Sequence, residues 1–428
     1  MNKLFLSSTI LIASWALASQ CAAQTYDANA DFKANELGGS ETSSIFGPFS
    51  VGYLDQAVPN SFTTFAAGEH TNSFAGNGNT QGFLTLNNVI VPAAIVNVST
   101  TPFFGFSGLD AGEILLHPGG RGADGFAAPF FDGVMRFTAP TSGFYNITGS
   151  FRSLDAGITD NRISLNGVSK LGITDGGKFK LNLQLTAGDV IDFATGAAGD
   201  GIGADSTGLR ATLVAGAIAP QVVNIDFKGK RPGDAGDAGS YLGVSAAGSG
   251  TVFNGISADS TGGDDNLTVS GFNLLTDAGV PTTVGFSISP VGGDHEPGQP
   301  FEPCSLYDDY IFNNSAGNNT PGGSPFTISG LGDALTADLY LYGSFNTTPD
   351  FVIPGYSGSG VFGTYNGLLA TAYYDVPVTG GSITGLFGVG ETGILGGLTV
   401  ATSVPEPASL GLMLLGSAAL LLRRRRNS

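Results

Sequence analysis

Glycine divides this chain into short apolar segments, and that division restricts the fold more than any other feature. The sequence contains 67 Gly, 30 Phe and 12 Tyr among 428 residues, and only 12% of its residues are charged. Glycine supplies turn geometry, and aromatic side chains pack well on pleated sheets. Disordered segments are charged and poor in aromatics, so this composition does not indicate disorder. No segment of the body sustains a helical period with caps, and we therefore expect an all-β fold.

Residues 1–23 have the layout of a secretory signal peptide, with a basic start, a short apolar signal helix and a small-residue cleavage site. Lys3 precedes an apolar run over residues 4–18. A run of about 15 residues is short for a membrane span, which needs about 20. We predict cleavage after Ala23. Lipidation of Cys21 is the alternative, although Gln20 stands where a lipobox has Gly, Ala or Ser.

Residues 403–428 combine a Pro-Glu-Pro element, a short apolar stretch and a cluster of four arginines, in that order. Together they resemble the PEP-CTERM sorting signal, also labelled the ice-binding protein C-terminal domain. The resemblance implies recognition by exosortase, an inner-membrane processing enzyme of Gram-negative bacteria that make exopolysaccharide. It implies sorting and processing roles for Val404, Pro405, Glu406, Pro407, Arg423, Arg424, Arg425 and Arg426.

Charge and length support the same placement of the two ends. Four arginines are costly to translocate and Lys3 holds the other end in the cytoplasm, so the body lies outside the inner membrane. A helix over residues 408–422 would be roughly 22 Å long, against a hydrocarbon core of about 30 Å. We therefore expect a transient transmembrane helix; an uncut tail anchor is the alternative. The export machinery would carry the protein to the cell surface or the extracellular space.

The body between these ends is strongly acidic. Without Lys3, Glu406 and the four arginines, 17 basic and 35 acidic residues become 12 and 34, a net charge of about −22. This charge disfavours nucleic acid and anionic lipid as partners. Only Cys304 remains after maturation, so no intrachain disulfide can form. We interpret Cys304 as a small buried side chain rather than a catalytic thiol.

Strand-like segments divide the body into two parts. In the first, Arg136–Phe151 contains an alternating strand pattern at Phe144–Thr148, and Asn166-Gly167 is typical of a hairpin turn. With His117-Pro118-Gly119 and Leu185–Ala194, these segments resemble a β-sandwich domain of surface proteins that carry the same sorting signal, and galactose-binding-like jelly rolls. The resemblance implies a fold and not a function. We predict a signal peptide at 1–23, a β-sandwich at 24–216, a linker at 217–221, a second β-sandwich at 222–402 and the sorting signal at 403–428.

The second part opens with the strand-like segment Val222–Phe227. Phe326–Leu331 and Ala337–Gly343 parallel the Phe137–Phe151 segment of the first part. We therefore expect two jelly-roll-like β-sandwich domains of similar architecture, in addition to the two terminal helices. The glycine-rich residues 378–402 fit either a final strand pair or a spacer.

Histidine and nucleophile patterns do not indicate a catalytic centre. His70, His117 and His295 lie far apart, and none has the spacing of a metal site. We interpret His117 as a turn or strand-end residue and His295 as part of a surface loop. The body has no Gly-x-Ser-x-Gly elbow, no phosphate-binding loop and no His-Glu-x-x-His motif. No catalytic residue and no cofactor is predicted.

Neighbouring carboxylates leave a structural calcium ion as an open alternative without a named site, because calcium prefers several oxygen ligands. The candidates are Asp234 with Asp237, Asp264 with Asp265, and Asp308 with Asp309. None of these spacings matches an EF-hand loop.

Sugar binding is the function that such a fold invites. Aromatic rings stack on the C–H face of sugars, but the one tryptophan, Trp15, belongs to the signal peptide. Tyr241, Tyr307, Tyr310 and Tyr356 are the remaining candidates, and core or rim packing is the expected role of each.

Three hypotheses follow for the function of the body. The first is a non-enzymatic protein of the outer surface or extracellular matrix. The second is the same scaffold binding polysaccharide through its loops. The third is a polysaccharide hydrolase or lyase with carboxylates dispersed in sequence. The lack of a recognisable catalytic motif favours the first.

Overall fold

The computed structural model describes residues 23–38, 43–58, 61–72, 78–84, 92–103, 108–120, 130–199, 201–230, 241–259, 266–295, 306–313, 322–343, 350–389 and 393–402. Most of them lie in β-strands, which confirms the predicted β fold at this level. Residues 1–22, Cys304 and the sorting signal at 403–428 lie outside the described residues.

The first part of the body contains the helix α1 (Ala28–Leu37), a 3-10 turn (Ala67–Glu69) and sixteen described strands. The strands are β1 (Gln24–Asp27), β2 (Ile45–Phe46), β3 (Phe49–Asp55), β4 (Thr63–Thr64), β5 (His70–Thr71), β6 (Thr80–Leu84), β7 (Ala93–Asn97), β8 (Ile114–His117), β9 (Gly119–Gly120), β10 (Phe130–Thr138), β11 (Gly143–Ser153), β12 (Thr159–Leu165), β13 (Val168–Thr174), β14 (Gly177–Leu185), β15 (Val190–Ala197) and β16 (Thr207–Ala215).

The second part contributes the remaining described strands. They are β17 (Gln221–Lys230), β18 (Phe253–Asp259), β19 (Leu267–Gly271), β20 (Gly285–His295), β21 (Asp309–Asn313), β22 (Ser324–Ser329), β23 (Thr336–Tyr342), β24 (Phe351–Val352), β25 (Val361–Tyr365), β26 (Leu368–Pro377), β27 (Ile383–Phe387), β28 (Gly393–Leu395) and β29 (Gly397–Thr402).

The described strands form three sheets, which we name A, B and C. Sheet A has the order β14-β11-β16-β8-β7-β6-β5, with β1 paired to β16. Sheet B runs β18-β17-β29-β23-β26-β25-β13-β12-β15-β10-β3-β2, with β4 and β9 at its side. Sheet C has the order β24-β27-β22-β20-β21-β28, with β19 paired to β20. Sheet B therefore runs from the first part of the chain into the second without a break.

Sheet B has a separate hydrophobic core on each face. On one face, residues of β10 and β11 meet between sheets B and A, where the rings of Phe137 and Tyr145 lie 5.9 Å apart. On the other face, the second part of sheet B packs against sheet C. The run Leu339 to Tyr342 serves both cores, because its leucines lie in the second core and its tyrosines in the first. Strands buried on both faces are continuously apolar in this way.

The helix α1 contradicts the prediction that the body has no helix. Asp27 caps it by accepting hydrogen bonds from the backbone N–H groups of Asn29 and Ala30, each at 3.0 Å. Its buried side chains are Ala28, Asn29, Phe32 and Glu36. Two of these four are polar, so the buried face does not produce the apolar period on which the prediction relied.

Three other differences are local. Gln221, assigned to the linker 217–221, is the first residue of β17 and pairs with Thr402. His295 ends strand β20 opposite Asp309, whereas a surface loop was expected. Residues 378–402 contain the three strands β27, β28 and β29, where a final strand pair or a spacer was expected, so the spacer is wrong and the strands exceed a pair. Asn166-Gly167 is confirmed as a hairpin turn, with φ values of 50° and 79°.

Candidate functional site

The two parts of the body meet at one strand pair within sheet B. Leu171 of β13 faces Tyr365 of β25, and Gly172 faces Thr364. The pair is close because Gly363 has no side chain: a Cβ there would lie 2.6 Å from the carbonyl oxygen of Gly172. Glycine is thus required where the two parts join.

Lys180 fastens the same junction with two ion pairs. Its Nζ lies 3.1 Å from Asp338 Oδ1 and 2.7 Å from Asp375 Oδ1. Although burial opposes the charged form, the two carboxylates raise the pKa of the Lys180 ammonium above its usual value. The side chain is mostly buried, so this bridge is screened less than a surface pair.

Tyrosines fill the core beneath this junction. Tyr340 and Tyr374 each contact Tyr365, and the hydroxyl of Tyr374 donates to that of Tyr365 at 3.3 Å. Burial raises the pKa of Tyr365 and Tyr373 to about 12, and holds the pKa of Tyr340 well above its usual value. These tyrosines are therefore neutral packing groups.

A groove with a volume of about 1080 Å³ opens at the junction, and we name it the junction groove. It is lined by β11, the β13–β14 turn, residues 355–360, β25 and β26. Phe362 of β25 lies in its lining with 44% of the residue exposed. Large apolar side chains gain free energy from burial, so an exposed ring inside a groove is a candidate contact for a ligand.

Residues 355–360 form a glycine- and serine-rich loop at the edge of the junction groove. A Cβ at Gly358 would lie 2.3 Å from the hydroxyl of Tyr356, so glycine allows that ring to fold across the loop. The Tyr356 ring centroid is 6.1 Å from that of Tyr373. Ser357 and Ser359 are exposed and line the groove. The loop is thus anchored by an aromatic contact and presents hydroxyl groups.

Two of the three charged residues that line the junction groove form ion pairs with residues outside its lining. Arg152 Nε donates to Glu113 Oε1 at 3.1 Å, and Asp375 accepts from Lys180. Lys178 is exposed to solvent at the rim. The groove therefore offers a ligand hydroxyl groups, backbone and aromatic surface rather than a concentrated charge.

The predicted histidines do not converge on this groove. His117 ends β8 as predicted, its Nδ1 lies 2.6 Å from the carbonyl oxygen of Pro118, and burial lowers its pKa. His70 Nε2 lies 2.7 Å from Glu36 Oε2, and both side chains are buried. These contacts hold α1 against β5, which is a structural role.

The predicted carboxylates and tyrosines are mainly interior residues. Asp308 and Asp309 are buried, and Tyr310 donates to Asp294 Oδ2 at 3.1 Å. Within the part of the chain that the structure describes, no three His, Cys, Asp or Glu side chains are grouped as a metal site. Asp234, Asp237, Asp264 and Asp265 lie outside it.

Packing roles were expected for the four candidate tyrosines, and their burial agrees. Tyr241 and Tyr307 lie in the core between sheets A and B, and Tyr310 is buried. Only Tyr356 lines the junction groove, and its ring packs on Tyr373. Sequence reasoning missed Phe362 and the serines beside it. The Gly-Tyr-Ser-Gly-Ser-Gly run at 355–360 was the available signal, since it precedes a strand ending in Tyr365.

Comparisons with known proteins give distant likenesses. No curated protein matches the chain. A family 35 carbohydrate binding module from Clostridium thermocellum is 16% identical over 24% of this chain and 91% of its own, with a TM-score of 0.16. The CBM36-1 domain of a multidomain xylanase from the hindgut metagenome of Trinervitermes trinervoides is 12% identical over 29% and 97%, with a TM-score of 0.18. The ANX1 ectodomain from Arabidopsis thaliana is 10% identical over 69% and 83%, with a TM-score of 0.23. Such TM-scores are too low to carry an argument.

The C-terminal segment gives the specific match. Residues 403–426 match the family of the PEP-CTERM protein-sorting motif, as the sequence predicted. Among the described residues no helix is long and apolar enough to cross a bilayer, and the predicted helix at 408–422 lies outside them. The chain thus carries a PEP-CTERM sorting motif, which marks it as an exported protein sorted by an exosortase-type system.

Proposed function

We propose that this chain is a non-enzymatic protein of the cell surface or extracellular matrix, delivered there through its C-terminal signal. The sorting motif at residues 403–426 is the observation that carries the proposal. Exosortase would act on the segment while the arginines hold it at the inner membrane. The export machinery and exosortase are therefore the partners that we infer.

We further infer that the two parts of the body are two jelly-roll-like domains over residues 24–216 and 221–402, with a short linker at 217–220, because Gln221 already belongs to β17. In support, sheet A is built from strands of the first range and sheet C from strands of the second. A rigid double sandwich with packed tyrosines at its centre suits a structural component of a matrix.

Replacement of the Pro-Glu-Pro element tests the delivery. In a host with exosortase, the triple variant Pro405→Ala, Glu406→Ala and Pro407→Ala should stay with the inner-membrane fraction, while the parent chain leaves it. Asn427→Ala, just outside the matched residues, is the control and should behave as the parent. Normal release of the triple variant would refute the proposed delivery.

Polysaccharide binding is a second candidate function, and the junction groove is the observation that favours it. The groove combines an exposed aromatic ring, which can stack on a sugar ring, with hydroxyl groups, which can form hydrogen bonds with sugar hydroxyls. A glycan array probed with the purified full chain tests this function. Retention of the chain on no glycan would refute it.

A further inference from the structure

We propose that the junction groove binds a neutral polysaccharide chain, with the Phe362 ring stacked on the C–H face of one sugar. This inference rests on the second candidate function and gives it a site and a ligand class. The groove lies where β13 and β25 join the two parts of the body.

The size of the groove suits a segment of polymer. Its volume of about 1080 Å³ slightly exceeds the ~300–1,000 Å³ typical of small-molecule sites. Strands and a short loop form its walls, so the site is largely preformed. A preformed site loses little conformational entropy when a ligand binds.

Phe362 supplies the apolar contact. It sits in β25 opposite Thr371 of β26, and this pairing holds its backbone in place. The residue is nevertheless 44% exposed. A flat ring on a rigid strand offers a stacking surface for the axial C–H groups of a pyranose.

Polar groups around the ring match sugar hydroxyls. Ser357, Ser359 and Thr364 line the groove, and each hydroxyl can donate and accept a hydrogen bond. Gly358 and Gly360 also line it, so the ligand can approach the backbone of the loop closely. These groups can adapt to several sugar orientations.

Charge selects a neutral ligand over a polyanion. Arg152 and Asp375 are already paired with Glu113 and Lys180, which leaves exposed Lys178 as the groove's solvated cation. The whole chain carries a formal charge of −18, and such a field repels an anionic polymer. A neutral glycan avoids this repulsion.

Affinity measurements on matched phenylalanine variants test the proposal. The purified full chain is titrated with cellohexaose and isomaltohexaose as neutral probes and with polygalacturonate as the polyanion. We expect binding of a neutral probe, and Phe362→Ala should weaken it about tenfold. Phe272→Ala is the control, because Phe272 is 69% exposed and lies outside the groove lining; it should bind as the parent does.

Phe362→Leu is a second variant that controls for misfolding, because it keeps an apolar side chain but removes the ring. It should also weaken binding while the circular dichroism spectrum stays that of the parent. Equal binding by the parent and Phe362→Leu would overturn the groove site and leave polysaccharide binding standing. Tighter binding of polygalacturonate would overturn the neutral ligand class. If the parent chain bound none of the probes, the inference would be overturned. The proposed delivery of the protein to the cell surface is tested separately, by the Pro-Glu-Pro triple variant.

Discussion

At the scale of single residues, Arg136 joins two of the segments on which the sandwich resemblance depends. Arg136 of β10 and Asp192 of β15 are Cα partners. Arg136 Nε lies 2.6 Å from Asp192 Oδ1, and Nη2 lies 2.9 Å from Oδ2. The guanidinium carbon also lies 3.8 Å from the centroid of the Phe62 ring. The two sequence segments therefore meet to form a buried fork-to-fork ion pair.

Removal of this arginine should destabilise the fold strongly. Asp192 is only 3% exposed, so Arg136→Ala leaves a buried carboxylate without its cation and should cost about 3 kcal/mol. Arg210→Ala is the control, because its pair with Asp110 spans 3.6 Å and both side chains are nearly half exposed; it should cost less than about 0.5 kcal/mol. Urea unfolding measures both. Equal losses of unfolding free energy in the two variants would show that the buried ion pair contributes no more to stability than the exposed pair.

Buried tyrosines make stability depend on alkaline pH. Burial raises the pKa of Tyr365 and Tyr373 to about 12, while the unfolded chain loses these protons near pH 10. The unfolded state then binds fewer protons than the folded state. We therefore expect the free energy of unfolding to fall as pH rises from 10 towards 12. Tyrosinate absorbance measured as a function of pH should show a group of tyrosines that ionises well above pH 10. Ionisation of all tyrosines near pH 10, with no change in stability, would contradict this prediction.

At the scale of elements, one short strand pair forms the junction, here called the joint, between the two parts. Pairing of β13 with β25 involves two residue pairs, and its closeness depends on Gly363. Longer pairings stand on either side, such as β12 with β15 and β25 with β26. The strand pair that joins the two parts is thus short and has no room for a side chain at Gly363.

Gly363→Ala should weaken the joint. Its Cβ would lie 2.6 Å from the carbonyl oxygen of Gly172, so the backbone must shift, at a cost of about 1–3 kcal/mol. Gly203→Ala is the control, since a Cβ there has no atom within 4 Å and the residue does not have a left-handed backbone conformation. Thermal unfolding of the two variants measures the difference. A Gly363→Ala chain as stable as Gly203→Ala would contradict the close approach.

Many elements could be predicted from sequence, and those that were missed share a physical reason. The strand at Val222–Phe227 and the hairpin turn at Asn166-Gly167 were predicted because their signals are local. The pairing of β13 with β25 could not be, since it joins strands distant along the chain. Helix α1 was missed because Asn29 and Glu36 are buried through hydrogen bonds rather than through apolar contact.

At the scale of the whole molecule, one core links both parts of the body. The core between sheets A and B includes residues from Tyr26 in the first part to Tyr374 in the second. Sheet B continues across the joint, and Lys180 pairs with Asp338 and Asp375. The two parts are therefore held together by shared packing, strand pairing and ion pairs, and not by the connecting segment alone.

Shared packing predicts cooperative unfolding of the two parts. We expect one calorimetric transition whose van't Hoff and calorimetric enthalpies agree, because loss of one part exposes the core of the other. Differential scanning calorimetry of the full chain measures this. Two resolved transitions would indicate that each part keeps its own stability and that the joint contributes little.

The sequence predicted the sorting motif at the C-terminal end of the chain, but it did not predict the junction groove. The sorting motif is a contiguous signal, and its match at residues 403–426 was predicted. The junction groove is assembled from β11, the β13–β14 turn and strands some 200 residues later, so no local pattern contains it. Phe362 in particular is apolar in sequence, and only the fold shows that its ring is exposed.

Intact-mass spectrometry of the exported protein tests the sorting of this chain at both ends in one measurement. We predict a mature chain that begins after Ala23 and lacks Arg423 to Arg426, because signal peptidase removes the first segment and an exosortase-type enzyme processes the matched residues 403–426. An exported protein whose mass includes Arg423 to Arg426 would contradict that processing.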